Sequence, residues 1–167
     1  MSSDNAAVGP QPDWRRDRLG SADRGDNPTV LARMATGWAV IGDTQFLPGY
    51  CLLIYAGDAD QLTDLPRAER TAFLDDMALL GESVQAAAGH LDDRLWRLNY
   101  EILGNSWHHL HAHVFPRYSW EADEYRHGPV WGYGERRTAD EHRLGPQHDE
   151  LRAAITAELH RRLAPGG

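Results

Sequence analysis

Cysteine is almost missing from this 167-residue chain; Cys51 is the one thiol, so no internal disulfide can form. It sits in the apolar run Tyr50-Cys-Leu-Leu-Ile54, which predicts a buried structural thiol and fits a cytoplasmic location. No run of 18 apolar residues occurs, which argues against a membrane span. Basic residues are outnumbered, 17 Lys and Arg against 25 Asp and Glu for a net charge of −8, and they are scattered. Affinity for a nucleic-acid backbone needs clustered cations, so such a polymer is a poor partner. A small anionic ligand is still compatible, because neutral donors can hold phosphate locally. No internal repeat is visible, and the length suits one well-buried domain.

What is present divides the chain. Residues 1–13 are polar and contain proline, with no apolar segment behind a basic start; they are read as a disordered arm, not a signal peptide. Residues 14–117 are read as the domain, opening with a short helix or irregular lead-in before Thr36. Strands are predicted over 36–41 and 50–55, with the turn dipeptide Pro48-Gly49 between them. Phe73, Met77, Leu80 and Val84 fall near the 3.6 period and predict a long helix over 66–88, with Pro66 in its first turn and Gly89 as its stop. The segment Trp96-Arg-Leu-Asn-Tyr-Glu-Ile102 alternates as a strand. Residues 118–167 are read as an extension packed on the same domain, closing with a helix over 149–163 whose Leu151, Ile155, Leu159 and Leu163 recur at helical spacing. This extension is expected to cover the core or a dimer face and not to touch substrate.

The informative stretch is Asn105-Ser-Trp-His-His-Leu-His-Ala-His-Val-Phe-Pro116. On a strand His109, His111, His113 and Phe115 share one face, and Leu110, Ala112 and Val114 the other. One face therefore anchors the strand and the other displays a row of imidazoles. If a short Gly104-Asn-Ser loop joins this strand to the preceding one as an antiparallel hairpin, Asn99 comes to lie beside that row. Two chemistries suit such a row. Zinc binding is one, although Cα atoms of His109 and His113 would lie about 13 Å apart at ~3.3 Å per residue, too far for both to reach one ion easily. Nucleophilic attack on phosphorus is the other, with a neutral imidazole forming a phospho-histidine that water cleaves.

The run His109-Leu-His-Ala-His-Val-Phe115 resembles the motif of the histidine-triad (HIT) family, three histidines alternating with apolar residues. Val40–Leu53 is similar to that family's first hairpin, and Leu98–Asn105 to its lead-in; together the resemblance covers about residues 36–117. It implies an α+β fold: an antiparallel sheet of about five strands, one long packed helix and a C-terminal helix. It also implies a nucleotidyl hydrolase or transferase acting on dinucleoside polyphosphates or nucleoside phosphoramidates, with no cofactor or metal and with homodimers formed by joining sheets. A non-catalytic nucleotide-binding module and a metal-binding protein are the alternatives. Carried over, His111 is the nucleophile, the carbonyl of His109 orients it, and His113 donates to the phosphate. Asn99, Asn105 and Ser106 match the family's phosphate-side donors, while Asp43, with Gln45 behind it, is the candidate ribose contact. Tyr50 departs from the family's usual fourth histidine, and Asp43 lies five residues before Pro48 where six is usual. A histidine nucleophile of this kind must be neutral to attack, so activity should fall below its pKa, near ~6–7 for an imidazole.

Overall fold

The computed structural model describes residues 13–164. The arm expected over residues 1–13 therefore lies outside the described residues, apart from Asp13. Five strands, β1 (Val30–Arg33), β2 (Gly37–Ile41), β3 (Cys51–Tyr55), β4 (Leu95–Glu101) and β5 (His111–Tyr118), form one antiparallel sheet in the order β1-β2-β3-β5-β4. The four α-helices are α1 (Arg18–Arg24), α2 (Arg67–Leu91), α3 (Asp123–Arg126) and α4 (Asp149–Leu163). The α+β class, the strand count and the two longer helices are as the sequence predicts.

One face of the sheet carries the core. Phe73, Leu80, Val84, Ala87 and Ala88 of α2 and Leu151, Ile155 and Leu159 of α4 close over Leu31, Ala39, Ile41, Cys51, Leu53, Ala112 and Val114. Each large apolar side chain removed from water here contributes roughly 1.5–3 kcal/mol. Cys51 is fully buried, and burial pushes its thiol far above the ordinary range. A buried Asp76 on α2 accepts from the backbone N–H and hydroxyl of Thr36 at 2.7 and 2.6 Å, tying the β1–β2 turn to the helix.

Three boundaries differ from expectation. Helix α2 runs through Gly89 to Leu91, and Asp92 ends the helix. Strand β1 was not anticipated; it is four residues long with a register irregularity, so it shows no alternation to read. Strand β5 starts at His111, not His109, and the β4–β5 connection spans residues 102–110. There Leu110 pairs with Ala59 and Tyr55 while the chain has already left β4, and Gly104 takes φ 69°.

The extension does two things. Helix α4 packs on α2 and β1. The segment before it is held by a buried ion pair, Arg117 with Glu121 at 2.9 Å, the two residues being 1% and 3% exposed. Arg117 also donates to Asn99 and to the carbonyls of Gly128 and Tyr125, all at 2.8 Å. Glu121 in turn accepts from the Tyr133 hydroxyl at 2.6 Å. Removing one partner of such a pair strands the other charge, so Glu121→Ala should lower unfolding free energy by about 3–5 kcal/mol in urea titration. An apolar double replacement, Arg117→Met with Glu121→Leu, should cost far less. A loss below about 1 kcal/mol for Glu121→Ala, the level of an exposed pair, would remove the pair as the clamp of this segment.

Candidate active site

Strand β5 turns Ala112 and Val114 to the helices and His111, His113, Phe115 and Arg117 to the other face. The register extends that face. Leu52 and Ile54 of β3 lie opposite His113 and His111, and Glu101 and Asn99 of β4 lie opposite His113 and Phe115. The three triad imidazoles are wired differently. His111 Nδ1 lies 2.6 Å from the carbonyl oxygen of His109. A carbonyl only accepts, so the neutral ring carries its proton on Nδ1 and leaves Nε2 bare. His109 turns Nε2 to the carbonyl of Tyr55 at 2.7 Å and is held behind the row. His113 Nδ1 meets the Tyr50 hydroxyl at 2.8 Å.

Tyr50 thus stands where the resemblance expects a fourth histidine, and it still contacts the third. Its ring stacks on Phe115 at 4.3 Å between centroids, and burial raises its phenol far above the ordinary value. The hydroxyl therefore keeps its proton, and among the described residues its one hydrogen-bond partner is His113 Nδ1; donating there satisfies the buried O–H and leaves the His113 proton on Nε2. The turn that delivers Tyr50 needs glycine: Tyr50 N–H bonds to the Leu47 carbonyl at 3.1 Å across Pro48-Gly49, and Gly49 has φ 93°.

A cavity of about 480 Å³ opens over the row, lined by Gly104, Asn105, Ser106, Trp107, His111, His113 and Trp131. A second cavity of about 370 Å³ adjoins it through Trp107; Val40, Asp43, Tyr50, Leu52, Ile54 and Arg137 lie around it. Each has the volume of a small-ligand site. Trp107 stacks on His109 and lies tilted against His111, with centroids 5.1 Å away in each case.

The expected residues are thus partly brought together. His111, His113, Asn105 and Ser106 line the first cavity, and Asp43 lines the second with its carboxylate paired to Arg18 at 2.5 Å. Two are placed elsewhere. Gln45 is buried in the β2–β3 loop, where its amide donates to the carbonyls of Gly42 and Tyr50 and accepts from Gly49 N–H. With both ends of its amide occupied, it braces the turn and faces neither cavity. Asn99 is on the predicted face, but its oxygen accepts from Arg117, so it belongs to the clamp and does not line the histidine cavity. Trp107, Trp131 and Arg137 went unpredicted as site residues, and so did any contact of the extension with the site. Trp107 adjoins the histidines in sequence and could have been found. Trp131 and Arg137 arrive only through the Arg117–Glu121 clamp, which no local spacing signals. The Trp131 indole donates to Glu101 and lies 5.8 Å from His113 between ring centroids.

An open five-stranded sheet with imidazoles on the face away from α2 and α4 defines a class, and comparison assigns it. A model of the HIT domain matches residues 38–120, and the chain belongs to the histidine-triad family, a family of nucleotide-binding proteins and hydrolases. Solved structures share the fold. A histidine-triad protein from Sinorhizobium meliloti 1021 aligns with TM-score 0.64 at 18% identity, covering 92% of this chain and 96% of that one. One from Marinobacter aquaeolei VT8 gives 0.59 at 22%, covering 81% and 90%. The diadenosine triphosphate hydrolase of Plasmodium falciparum gives 0.51 at 15%, covering 81% and 79%. No curated protein matches the chain by sequence.

Burial shapes the protonation of the row. It lowers His111 below the usual 6.5; the bond to the His109 carbonyl opposes this, and the nearby His109 ring adds to it. His113 is lowered to about 4, first by burial, then by His111 and Arg137. A depressed imidazole pKa preserves the neutral form to lower pH. The acid limb of kcat/KM should therefore sit below pH 6.5, lower than an unperturbed histidine would set it, and the His113 ring should titrate near 4 by NMR. A limb at or above 6.5 would contradict a buried, neutral His111 ring.

Proposed function

We propose that the protein is a nucleotidyl hydrolase or transferase working through a covalent nucleotidyl-His111 intermediate. One observation carries the reading: the His109 carbonyl holds the proton of His111 on Nδ1, so a bare Nε2 borders a cavity that also contains Asn105, Ser106 and His113. In the first step the Nε2 lone pair bonds to phosphorus, and the bond to the leaving group breaks with its electron pair. His113, protonated on Nε2, donates to the phosphate or bridging atom. Asn105 and Ser106 hold the oxygens on which charge develops, a task for fixed neutral donors. Water then attacks phosphorus, the phosphorus–nitrogen bond breaks, and His111 is restored; an acceptor other than water makes the reaction a transfer. The nucleoside would rest in the adjoining cavity against Leu52, Ile54 and Trp107, with Asp43 toward the ribose.

The substrates are nucleoside phosphates with a second group on phosphorus, such as dinucleoside polyphosphates or phosphoramidates. The Plasmodium falciparum hydrolase, by its name, acts on one such compound. The reading assigns no step to a metal, and activity should survive chelation by EDTA. A homodimer would use β4, which is an edge of the sheet with Trp96 and Tyr100 exposed. Sedimentation giving only monomer at micromolar concentration would count against it.

His111→Ala should lower turnover by several orders of magnitude without unfolding the protein, and a substrate labelled on the attacked phosphate should leave label on quenched wild type but not on the variant. Turnover within tenfold of wild type would remove the nucleophile assignment, and nucleotide binding without any trapped label would favour a non-catalytic binding module. Ser106→Ala should cost about 1–3 kcal/mol in transition-state stabilisation, read as kcat/KM.

A further inference from the structure

We propose that Arg137, brought to the site by the segment beyond the histidine-triad domain, selects ligands carrying a second phosphate beside the one His111 would attack; this rests on the function proposed above. Three observations on different atoms converge on it. Arg137 lines the cavity that holds Asp43, Thr44, Tyr50 and Trp107. Its guanidinium lies over Trp131, with Cζ 4.3 Å from the ring centroid, and the same indole contacts His113. Its Nε is buried and, among the described residues, has no hydrogen-bond partner.

Charge narrows what could satisfy that group. Among the described residues that line the two cavities, the charged side chains are Arg18, Asp43 and Arg137. Arg18 and Asp43 neutralise each other through their ion pair, leaving Arg137 as the uncompensated charge. A buried N–H without an acceptor is costly, and an indole face offers attraction but no hydrogen-bond acceptor in the guanidinium plane. A phosphate supplies paired acceptor oxygens that match the guanidinium fork, together with the opposite charge.

Position selects which phosphate. Tyr50 connects the triad to that cavity: its hydroxyl meets His113, and it lines the cavity that Arg137 also lines. A phosphorus attacked by His111 sits over the triad, so a phosphate bonded to it comes within reach of Arg137. The amine of a phosphoramidate has no anionic oxygen to place there. The arginine thus favours polyphosphate over phosphoramidate substrates.

The test compares ratios. Calorimetry of wild type should show ADP binding roughly tenfold or more tighter than AMP, the scale of charged hydrogen bonds. Arg137→Met should erase that ratio, and Arg137→Lys should keep part of it. In turnover, Arg137→Met should lower the ratio of kcat/KM for diadenosine triphosphate to that for adenosine 5′-phosphoramidate by roughly tenfold or more. A wild type that does not distinguish ADP from AMP, an unchanged ratio in Arg137→Met, or an equal fall for both substrates would overturn the assignment. If wild type turned over neither substrate, the catalytic reading would fail alone, and the ADP to AMP ratio would still decide the role of Arg137.

Discussion

The interaction on which the site depends is the buried pair of Arg117 and Glu121. Arg117 ends the imidazole face of β5, and the atoms it binds belong to β4 and to residues 121–128. Water is excluded from both charges, so the pair cannot part without a large desolvation cost. That cost fixes the path of the chain after β5 and brings Trp131 and Arg137 back across the histidines. The matched domain stops at residue 120, one position before Glu121. A cut at that boundary would leave Arg117 without its counter-ion, so the extension is not a detachable appendage.

The three imidazoles of the row are similar in sequence position yet unlike in chemistry, and the backbone makes them so. A carbonyl at His109 and another at Tyr55 fix two of the rings, and a phenol that holds its proton fixes the third. Two ring nitrogens are left for the cavity, a bare Nε2 on His111 and a protonated Nε2 on His113. An acceptor lone pair and a hydrogen-bond donor therefore stand side by side, two different functions drawn from one residue type. The replacement of an expected histidine by Tyr50 preserves this division, because a phenol buried beside Phe115 donates and does not titrate in the working range.

Much of this was legible in residue order. The alternation of His111 to Phe115 gave the correct faces, the alternation in β4 gave the correct register, and Leu151, Ile155 and Leu159 located α4 to the residue. Those features arise from local periodicity, which sequence displays directly. The misreadings involve contacts between distant residues. Asn99 has the right face, yet Arg117, eighteen positions away, takes its oxygen. Gln45 looks available until the tight loop around Pro48-Gly49 claims both ends of its amide. The alternating pattern places the start of β5 two residues early, because His109 keeps the alternation although ladder pairing with β3 begins only at His111.

Trp107 deserves a different description from that of a wall. Its indole lies against two imidazoles of the triad and borders both cavities. An excited indole is quenched by a nearby imidazolium and responds to the polarity of whatever replaces water beside it. The chain therefore carries an optical reporter beside its histidine row, in contact with the His111 ring. In a variant that keeps Trp107 and replaces the other tryptophans of the six, emission would register charge on His111 and occupancy of either cavity.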